Sequence, residues 1–133
     1  MTPDDLKALV RTVPDFPSPG ILFRDVTTLI GHGPGLSATI DHLAAMADRA
    51  GAQAVAGMEA RGFIFGAAVA ARMGLGFIPV RKPGKLPVQT IGVDYALEYG
   101  QDRLEIDPTA IADGQRRLLI FQQNQRFGYR LAG

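Results

Sequence analysis

The sequence contains no cysteine among its 133 residues. This absence excludes disulfide bonds, metal sites built on thiolates, and a cysteine nucleophile. An excess of charge of one sign is absent too, because Lys and Arg total 14, Asp and Glu total 13, and the formal net charge is +1. A chain this close to neutral has no overall field that favours nucleic acid or an anionic membrane. We therefore expect neither a nucleic-acid partner nor a membrane partner.

Long apolar runs are also missing. The most apolar internal stretch, residues 62–71, is followed by Arg72 and is too short to cross a bilayer. The first residues, MTPDDLKALVRTV, carry acids where a secretory signal has its basic start. These features predict a cytoplasmic protein. The length suits one domain over residues 1–133, and hydrophobic and charged fractions of 47% and 20% are typical of a globular chain.

Hydrophobic periodicity predicts helices that alternate with short apolar strands. The predicted helices are residues 4–13 (capped by Thr2 or Asp4), residues 36–50 and residues 62–73, with Gly51 and Gly74 after the last two. The predicted strands are residues 52–58, 76–80 and a strand from Arg117 to Phe121, with a hairpin over residues 89–106 that turns at 99–102. This alternation predicts an α/β fold with a mainly parallel sheet flanked by helices.

The segment FPSPGILFRD, residues 16–25, combines a proline-stiffened loop with an aromatic and a charged residue. Such a loop holds its backbone N–H and C=O groups in fixed positions, and Phe23 offers a face on which a planar base can stack. Arg24 adds a positive charge that Asp25 can anchor. The alternative is an ordered surface loop, with Phe23 in the core and a purely structural contact between Arg24 and Asp25.

Two further segments concentrate positive charge after predicted strands. In GMEARGFIFG, residues 57–66, Arg61 stands where a helix begins, and the free N–H groups of a helix start bind anions. In VRKPGKLP, residues 80–87, three cations follow a buried strand, at the end where open parallel sheets bind ligands. Together they suit a diphosphate. The alternatives are a salt bridge between Arg61 and Glu59, and a solvated basic loop at Arg81, Lys82 and Lys85.

The segment DYALEYGQDRLEID, residues 94–107, places Tyr95, Glu98 and Tyr99 near a hairpin tip. Such a tip can close over a ligand and exclude water, and Glu98 can transfer a proton. The alternative is an exposed hairpin with ordinary surface acids. His32 and His42 are interpreted as a loop residue and a helix-surface residue, and no spacing typical of a metal site is present.

Taken in order, FPSPGILFRDVTTLI, GMEARGFIFG, PVRKPGKLP and LEYGQDRLEI resemble the successive signature segments of adenine phosphoribosyltransferases, a family of type I phosphoribosyltransferases. The resemblance is nearly continuous over about residues 10–118. It implies transfer of a phosphoribosyl group from 5-phosphoribosyl diphosphate to adenine, which yields AMP and diphosphate in purine salvage. It further implies a small β hood over the base, a homodimer, a cytoplasmic location, and Mg²⁺ bound through the diphosphate rather than by a protein cluster.

The resemblance also implies roles for individual residues. Leu22, Phe23 and Arg24 would form the adenine pocket, with Phe23 stacked on the base and the backbone of its neighbours on the Watson–Crick edge. The diphosphate would be held by four cations, Arg61, Arg81, Lys82 and Lys85, and Arg61 would stabilise charge on it during the reaction. Glu98 would handle the purine N7 proton, and Tyr99 would belong to the lid.

The chain departs from the family's pattern after the strand that begins near Leu118. The family has two acids there, followed by a loop of Ala-Thr-Gly-Gly-Thr type that holds the ribose 5-phosphate, whereas residues 121–133 read FQQNQRFGYRLAG and the last carboxylate is Asp113. Phe121 and Gln122 fall where the acids belong, so the final part of the fold is expected to be missing. We interpret residues 119–133 as an atypical tail from a frameshift or truncation. A non-catalytic purine-binding module and a non-functional fragment are the alternatives to an enzyme.

Overall fold

A computed structural model of the chain describes residues 1–97, 100–112, 114–115, 117–121 and 127–132. The chain divides into two compact units, Met1–Leu43 and Ala44–Gly133. The prediction of one domain over the whole length stays a prediction. Among the described residues, no helix has the length and apolar character needed to span a membrane.

The first unit begins with helix α1, Pro3–Leu9, and the hairpin of strands β1, Arg11–Pro14, and β2, Leu22–Asp25. Thr2 is the N-cap of α1, since its hydroxyl accepts the Asp5 N–H at 3.2 Å while the Asp5 carboxylate accepts the Thr2 N–H at 2.7 Å. The predicted helix to residue 13 is therefore wrong at its C-terminal end. Proline disfavours helical geometry in the residue before it, and β-branched Thr12 and Val13 favour a strand.

Helices α2, Thr27–Ile30, and α3, Gly33–Arg49, follow. Helix α3 begins three residues before the predicted start because the His32 imidazole accepts the Gly35 N–H at Nδ1, 3.0 Å away. Pro34 is tolerated in this first turn, where a missing N–H is no loss. His32, predicted as a loop residue, thus caps a helix, and His42 lies on the helix surface as predicted. The buried residues of this unit are Leu6, Leu29, Gly35, Thr39, Ile40 and Leu43.

The second unit contains, in chain order, strand β3 (Ala54–Met58), helix α4 (Arg61–Met73), strand β4 (Phe77–Val80), the hairpin of strands β5 (Ile91–Leu97) and β6 (Gly100–Ile106), a 3-10 turn at Pro108–Ala110, and strands β7 (Arg117–Phe121) and β8 (Phe127–Ala132). The four-stranded sheet has the order β4-β3-β7-β8, in which β3 is parallel to both β4 and β7, and β8 is antiparallel to β7. The β5–β6 hairpin forms a sheet of its own. The predicted α/β fold with a mainly parallel sheet and a small hood is confirmed.

The core of this unit lies on both faces of β3, as the continuous burial of Ala54–Gly57 indicates. On one face Ala54, Ala56, Ile78 and Val80 pack together with Met58, Leu104, Ile106 and Ile111. Helix α4 contributes buried residues too, Phe65, Val69 and Ala70. The helix approaches β3 closely, because a Cβ on Gly57 would lie 2.8 Å from the backbone carbon of Gly62.

Two predictions about this unit need correction. Residues 100–102 are paired in β6 with residues 95–97, so the turn predicted at residues 99–102 is wrong for residues 100–102, and Tyr99 lies outside the described residues. No strand was expected after Phe121, yet β8 pairs with the outer edge of β7 through a register shift between Ile120 and Phe121. The residues of β8, FGYRLA, show no clear alternation of apolar and polar character, so their sequence does not predict a strand.

Candidate functional site

The candidate anion site is at the carboxyl edge of the parallel strands β3 and β4. Met58, the last residue of β3, is in register with Val80, the last residue of β4. The turn of residues 59–61 and the loop of residues 81–87, here called the basic loop, therefore leave the sheet side by side. This edge is where open α/β sheets bind their ligands.

The Glu59 carboxylate joins these two segments. Its Oε1 atom accepts the backbone N–H of Lys82 at 2.8 Å and the Nε–H of Arg81 at 3.3 Å. The pKa of Glu59 is lowered chiefly by the hydrogen bond from the Lys82 N–H; desolvation opposes this shift, and the charge and hydrogen bond of Arg81 add to it. The structure pairs Glu59 with Arg81, and the salt bridge between Arg61 and Glu59 that the sequence suggested stays a prediction.

Arg61 is the first residue of α4 and is partly exposed. The N-cap residue, Ala60, makes no side-chain hydrogen bond to the first turn. This helix start thus combines a guanidinium with backbone N–H groups and the positive end of the helix dipole. These are the groups that stabilise a phosphate oxygen.

The basic loop holds its three cations in different surroundings. The Arg81 guanidinium carbon lies 5.7 Å from the centroid of the Phe63 ring, and the edge of that ring meets Phe77 at 5.9 Å. Arg81 is therefore held by an aromatic face as well as by Glu59. Lys82 and Lys85 are exposed, and Gly84 between them has a positive φ of 80°. The loop presents the two lysines to solvent beside a fixed arginine.

Glu105 on β6 fastens the basic loop to the hairpin. Its Oε1 atom accepts the Gly84 N–H at 3.1 Å, and its Oε2 atom accepts the Thr90 hydroxyl at 3.0 Å and the Arg103 Nε–H at 3.2 Å. The pKa of Glu105 is lowered by the Gly84 N–H and then by Arg103. Sequence reasoning missed Glu105, although Arg103 and Glu105 alternate on one strand, which places them on the same face.

The candidate base site is the loop between β1 and β2 in the first unit. Asp15 Oδ1 accepts the Gly20 N–H at 2.8 Å, and the Phe16 N–H donates to the Ile21 carbonyl at 3.2 Å, so the loop is closed on itself. Phe23 is half-buried instead of lying in the core, and the edge of Phe16 packs against it at a centroid distance of 5.1 Å.

Arg24 and Asp25 do not form the contact that the sequence suggested. Consecutive strand residues point to opposite faces, so each finds a partner across the hairpin. Arg24 donates to the Thr12 hydroxyl, and Asp25 accepts from Arg11 Nε at 3.1 Å and from the Thr27 N–H at 2.9 Å. Hydrogen bonds from Thr27 and the Arg11 guanidinium lower the pKa of Asp25 to about 2.

Some predicted features lie outside the described residues, namely Glu98, Tyr99 and Gln122. Within the described ranges, no group of three or more His, Asp or Glu side chains is placed to hold a metal ion. The structure brings the Arg61 turn and the basic loop to one sheet edge, and it orders Leu22, Phe23 and Arg24 on one strand.

No family model matches the chain. Curated relatives do match. The adenine phosphoribosyltransferase of Novosphingobium aromaticivorans is 84% identical over 120 residues, which are 90% of this chain and 67% of the relative. The enzyme of the same name from Erythrobacter litoralis is 68% identical over the same shares of the two chains. This chain thus spans about two thirds of the length of these relatives.

Solved structures agree with the sequence relatives. The adenine phosphoribosyltransferase of Thermoanaerobacter pseudethanolicus superposes with a TM-score of 0.83 at 44% identity, over 90% of this chain and 69% of that chain. The Saccharomyces cerevisiae enzyme, solved in complex with an imino-altritol bisphosphate and adenine, gives a TM-score of 0.79 at 37% identity, over 88% of this chain and 68% of that one. At these TM-scores the two solved structures share the fold of this chain over the matched residues. This chain belongs to the adenine phosphoribosyltransferase family.

Proposed function

We propose that this chain carries the substrate-recognition part of the family's glycosyl transfer, in which adenine and 5-phosphoribosyl diphosphate give AMP and diphosphate in purine salvage. The observation that carries the proposal is the in-register ending of β3 and β4, which sets the Arg61 turn beside the basic loop. Glu59 then ties the two segments together at 2.8 Å from Lys82. A paired anion site of this kind suits a diphosphate better than a single phosphate.

The base site is proposed at Leu22, Phe23 and Arg24. The loop before them is closed by its own hydrogen bonds and therefore loses little conformational entropy when a ligand binds. Phe23 supplies an aromatic surface that Phe16 holds in place. Adenine would stack on Phe23, while backbone groups of its two neighbours would meet the Watson–Crick edge. Adenine bound in the yeast relative supports a base site in this family.

The diphosphate site is proposed at Arg61, Arg81, Lys82 and Lys85. Its donors are guanidinium, ammonium and backbone N–H groups, which suit phosphate oxygens. The nearby carboxylates of Glu59 and Glu105 already accept hydrogen bonds from the loop, so the donor set does not fit a bare Mg²⁺ ion. We therefore propose that Mg²⁺ arrives with the diphosphate, where it would neutralise charge on the leaving group.

Glu98 and Tyr99 are proposed to act on the purine N7 proton and to close the site. Both lie outside the described residues, and the proposal rests on the resemblance to the family together with the pairing of β5 with β6 on either side of them in sequence. A homodimer in the cytoplasm completes the proposal, in keeping with the family.

The isolated chain is proposed to recognise substrates without efficient turnover. The family's two acids and its Thr-rich loop hold the ribose and its 5-phosphate, whereas residues 121–133 of this chain contain no Asp, Glu, Ser or Thr. Without those groups the anomeric carbon is not held in line between adenine and diphosphate, and positioning contributes much of such a rate.

Isothermal titration with adenine and with magnesium diphosphate tests the proposal. We expect saturable binding of each ligand to the intact chain. Binding of adenine alone would favour a purine-binding module, and absence of both, together with a broad and non-cooperative melt, would favour a non-functional fragment.

A further inference from the structure

One residue of the hairpin strand β6, Glu105, makes three hydrogen bonds to the basic loop and a fourth to Thr90 beyond it. The backbone of Glu105 exchanges two hydrogen bonds with Arg81, at 2.9 and 2.7 Å. Its side chain then reaches Gly84 in the middle of the loop and Thr90 just beyond it. The Glu105 side chain is only 14% exposed, so water competes weakly for these bonds.

The loop needs such a fastening because its own composition does not order it. Gly84 takes a positive φ of 80°, and most of residues 82–89 are exposed. A loop with few packed side chains samples many conformations unless specific hydrogen bonds remove that freedom. The Glu105 carboxylate fixes the Gly84 N–H, which lies between the two lysines.

We propose that Glu105 is a positioning residue that presets the basic loop for a diphosphate group. It does not touch the ligand. It fixes the spacing of Lys82 and Lys85 by holding the peptide between them. This inference rests on the proposed function, because it assigns a cause for the affinity of the proposed diphosphate site.

The negative charge of Glu105 allows a positioning role to be distinguished from a simple electrostatic effect. A carboxylate near an anion site repels the ligand, so simple electrostatics predict that Glu105→Gln tightens diphosphate binding. A positioning role predicts weaker diphosphate binding instead. The glutamine amide has a single acceptor oxygen, so it cannot accept hydrogen bonds at both positions, Oε1 and Oε2, as the carboxylate does. The sign of the change therefore separates the two accounts.

The experiment is titration of the 133-residue chain and its variants with magnesium and inorganic diphosphate. We expect Glu105→Gln to weaken binding about tenfold, which corresponds to about 1.4 kcal/mol. Adenine affinity should stay unchanged, which a general loss of structure would not allow. The matched control is Asp94→Asn, since Asp94 meets the same Arg103 at 3.2 Å but makes no hydrogen bond to the basic loop among the described residues. This control should bind diphosphate as tightly as the parent.

Thr90→Val gives a second, milder variant in case Glu105→Gln does not fold. It removes one donor to the carboxylate and should weaken diphosphate binding about threefold, and it should add nothing in the Glu105→Gln background. Amide exchange at Gly84 should quicken in Glu105→Gln.

Equal or tighter binding by a folded Glu105→Gln variant overturns the inference and leaves the site intact. Failure of the parent chain to bind diphosphate contradicts the proposed function itself, and this role for Glu105 with it.

Discussion

Glu59, at the end of one strand, holds the backbone N–H of Lys82, at the end of the neighbouring strand, with a hydrogen bond of 2.8 Å. The two residues are 23 positions apart in the sequence, and the parallel register of β3 and β4 brings them together. One acid thereby organises two cationic segments while its own negative charge is compensated by Arg81.

Removal of the Glu59 carboxylate should weaken the diphosphate site. Glu59→Ala leaves the Lys82 N–H without its acceptor, and we expect a loss of about 1 kcal/mol in diphosphate binding, or roughly fivefold. Glu59→Gln keeps one acceptor oxygen and should lose less. Titration with magnesium diphosphate measures both, with Asp48→Ala on the exposed surface of α3 as the control for charge. An affinity in Glu59→Ala equal to that of the control would show that the segments hold their places without Glu59.

The aromatic surface of Phe23 should carry adenine affinity. Base stacking on an aromatic side chain contributes roughly 1–3 kcal/mol, so Phe23→Ala should weaken adenine binding by about tenfold or more. Leu22→Ala is the matched control, because the Leu22 side chain is 57% exposed and its proposed contact comes from the backbone. Titration calorimetry with adenine compares the two. Equal losses in both variants would place the base elsewhere.

Acid should destabilise the first unit through Asp25. The pKa of this carboxyl falls from 3.8 to about 2 in the folded chain. A lowered folded pKa stabilises the fold fully above 3.8, and this contribution disappears as the pH falls through about 2. The difference in unfolding free energy between the parent and Asp25→Asn should therefore shrink across that window.

Urea unfolding at a series of pH values measures this difference. Thr27→Ala removes the Thr27 hydroxyl that also lowers the pKa of Asp25 while its N–H stays, and Arg11→Ala removes the guanidinium, so each should reduce the pH dependence in part. A constant difference between the parent and Asp25→Asn from neutral pH to about 2 would rule out the ionised carboxylate as the stabilising species.

The close approach of α4 to β3 should tolerate no side chain at Gly57. A Cβ there would lie 2.8 Å from the Gly62 backbone carbon and 3.0 Å from the Phe77 ring. We expect Gly57→Ala to destabilise the chain by roughly 1–3 kcal/mol through overpacking. Gly76→Ala is the control, because a Cβ at Gly76 meets nothing within 4 Å. Denaturant unfolding of the two variants measures this difference. Equal unfolding midpoints would contradict the close packing of α4 on β3.

The sequence predicted the second unit well where local signals and the sheet pattern agree. Helix α4 was expected to end at Met73 because Gly74 follows, and Gly74 does take the left-handed conformation with φ 68°. Strand β7 matches its predicted limits, Arg117–Phe121. These elements have strong apolar patterns, and their ends are marked by residues with strong backbone preferences.

Other features depend on partners distant in sequence. The end of α1 was misplaced because strand β1 exists only through its pairing with β2. Arg24 and Asp25 looked like a pair because they are adjacent, and the hairpin separated them. Glu59 and Glu105 reach loop N–H groups 23 and 21 residues away, contacts for which a single sequence contains no local signal.

The most direct test of the account is AMP formation from adenine and 5-phosphoribosyl diphosphate with Mg²⁺, on protein whose intact mass confirms 133 residues. The account predicts that the chain binds adenine and forms no AMP above the rate without protein, since residues 121–133 lack the groups that hold the ribose 5-phosphate. Sustained AMP formation by this chain would contradict it, and would mean that other residues, or a second copy of the chain, supply that part of the site.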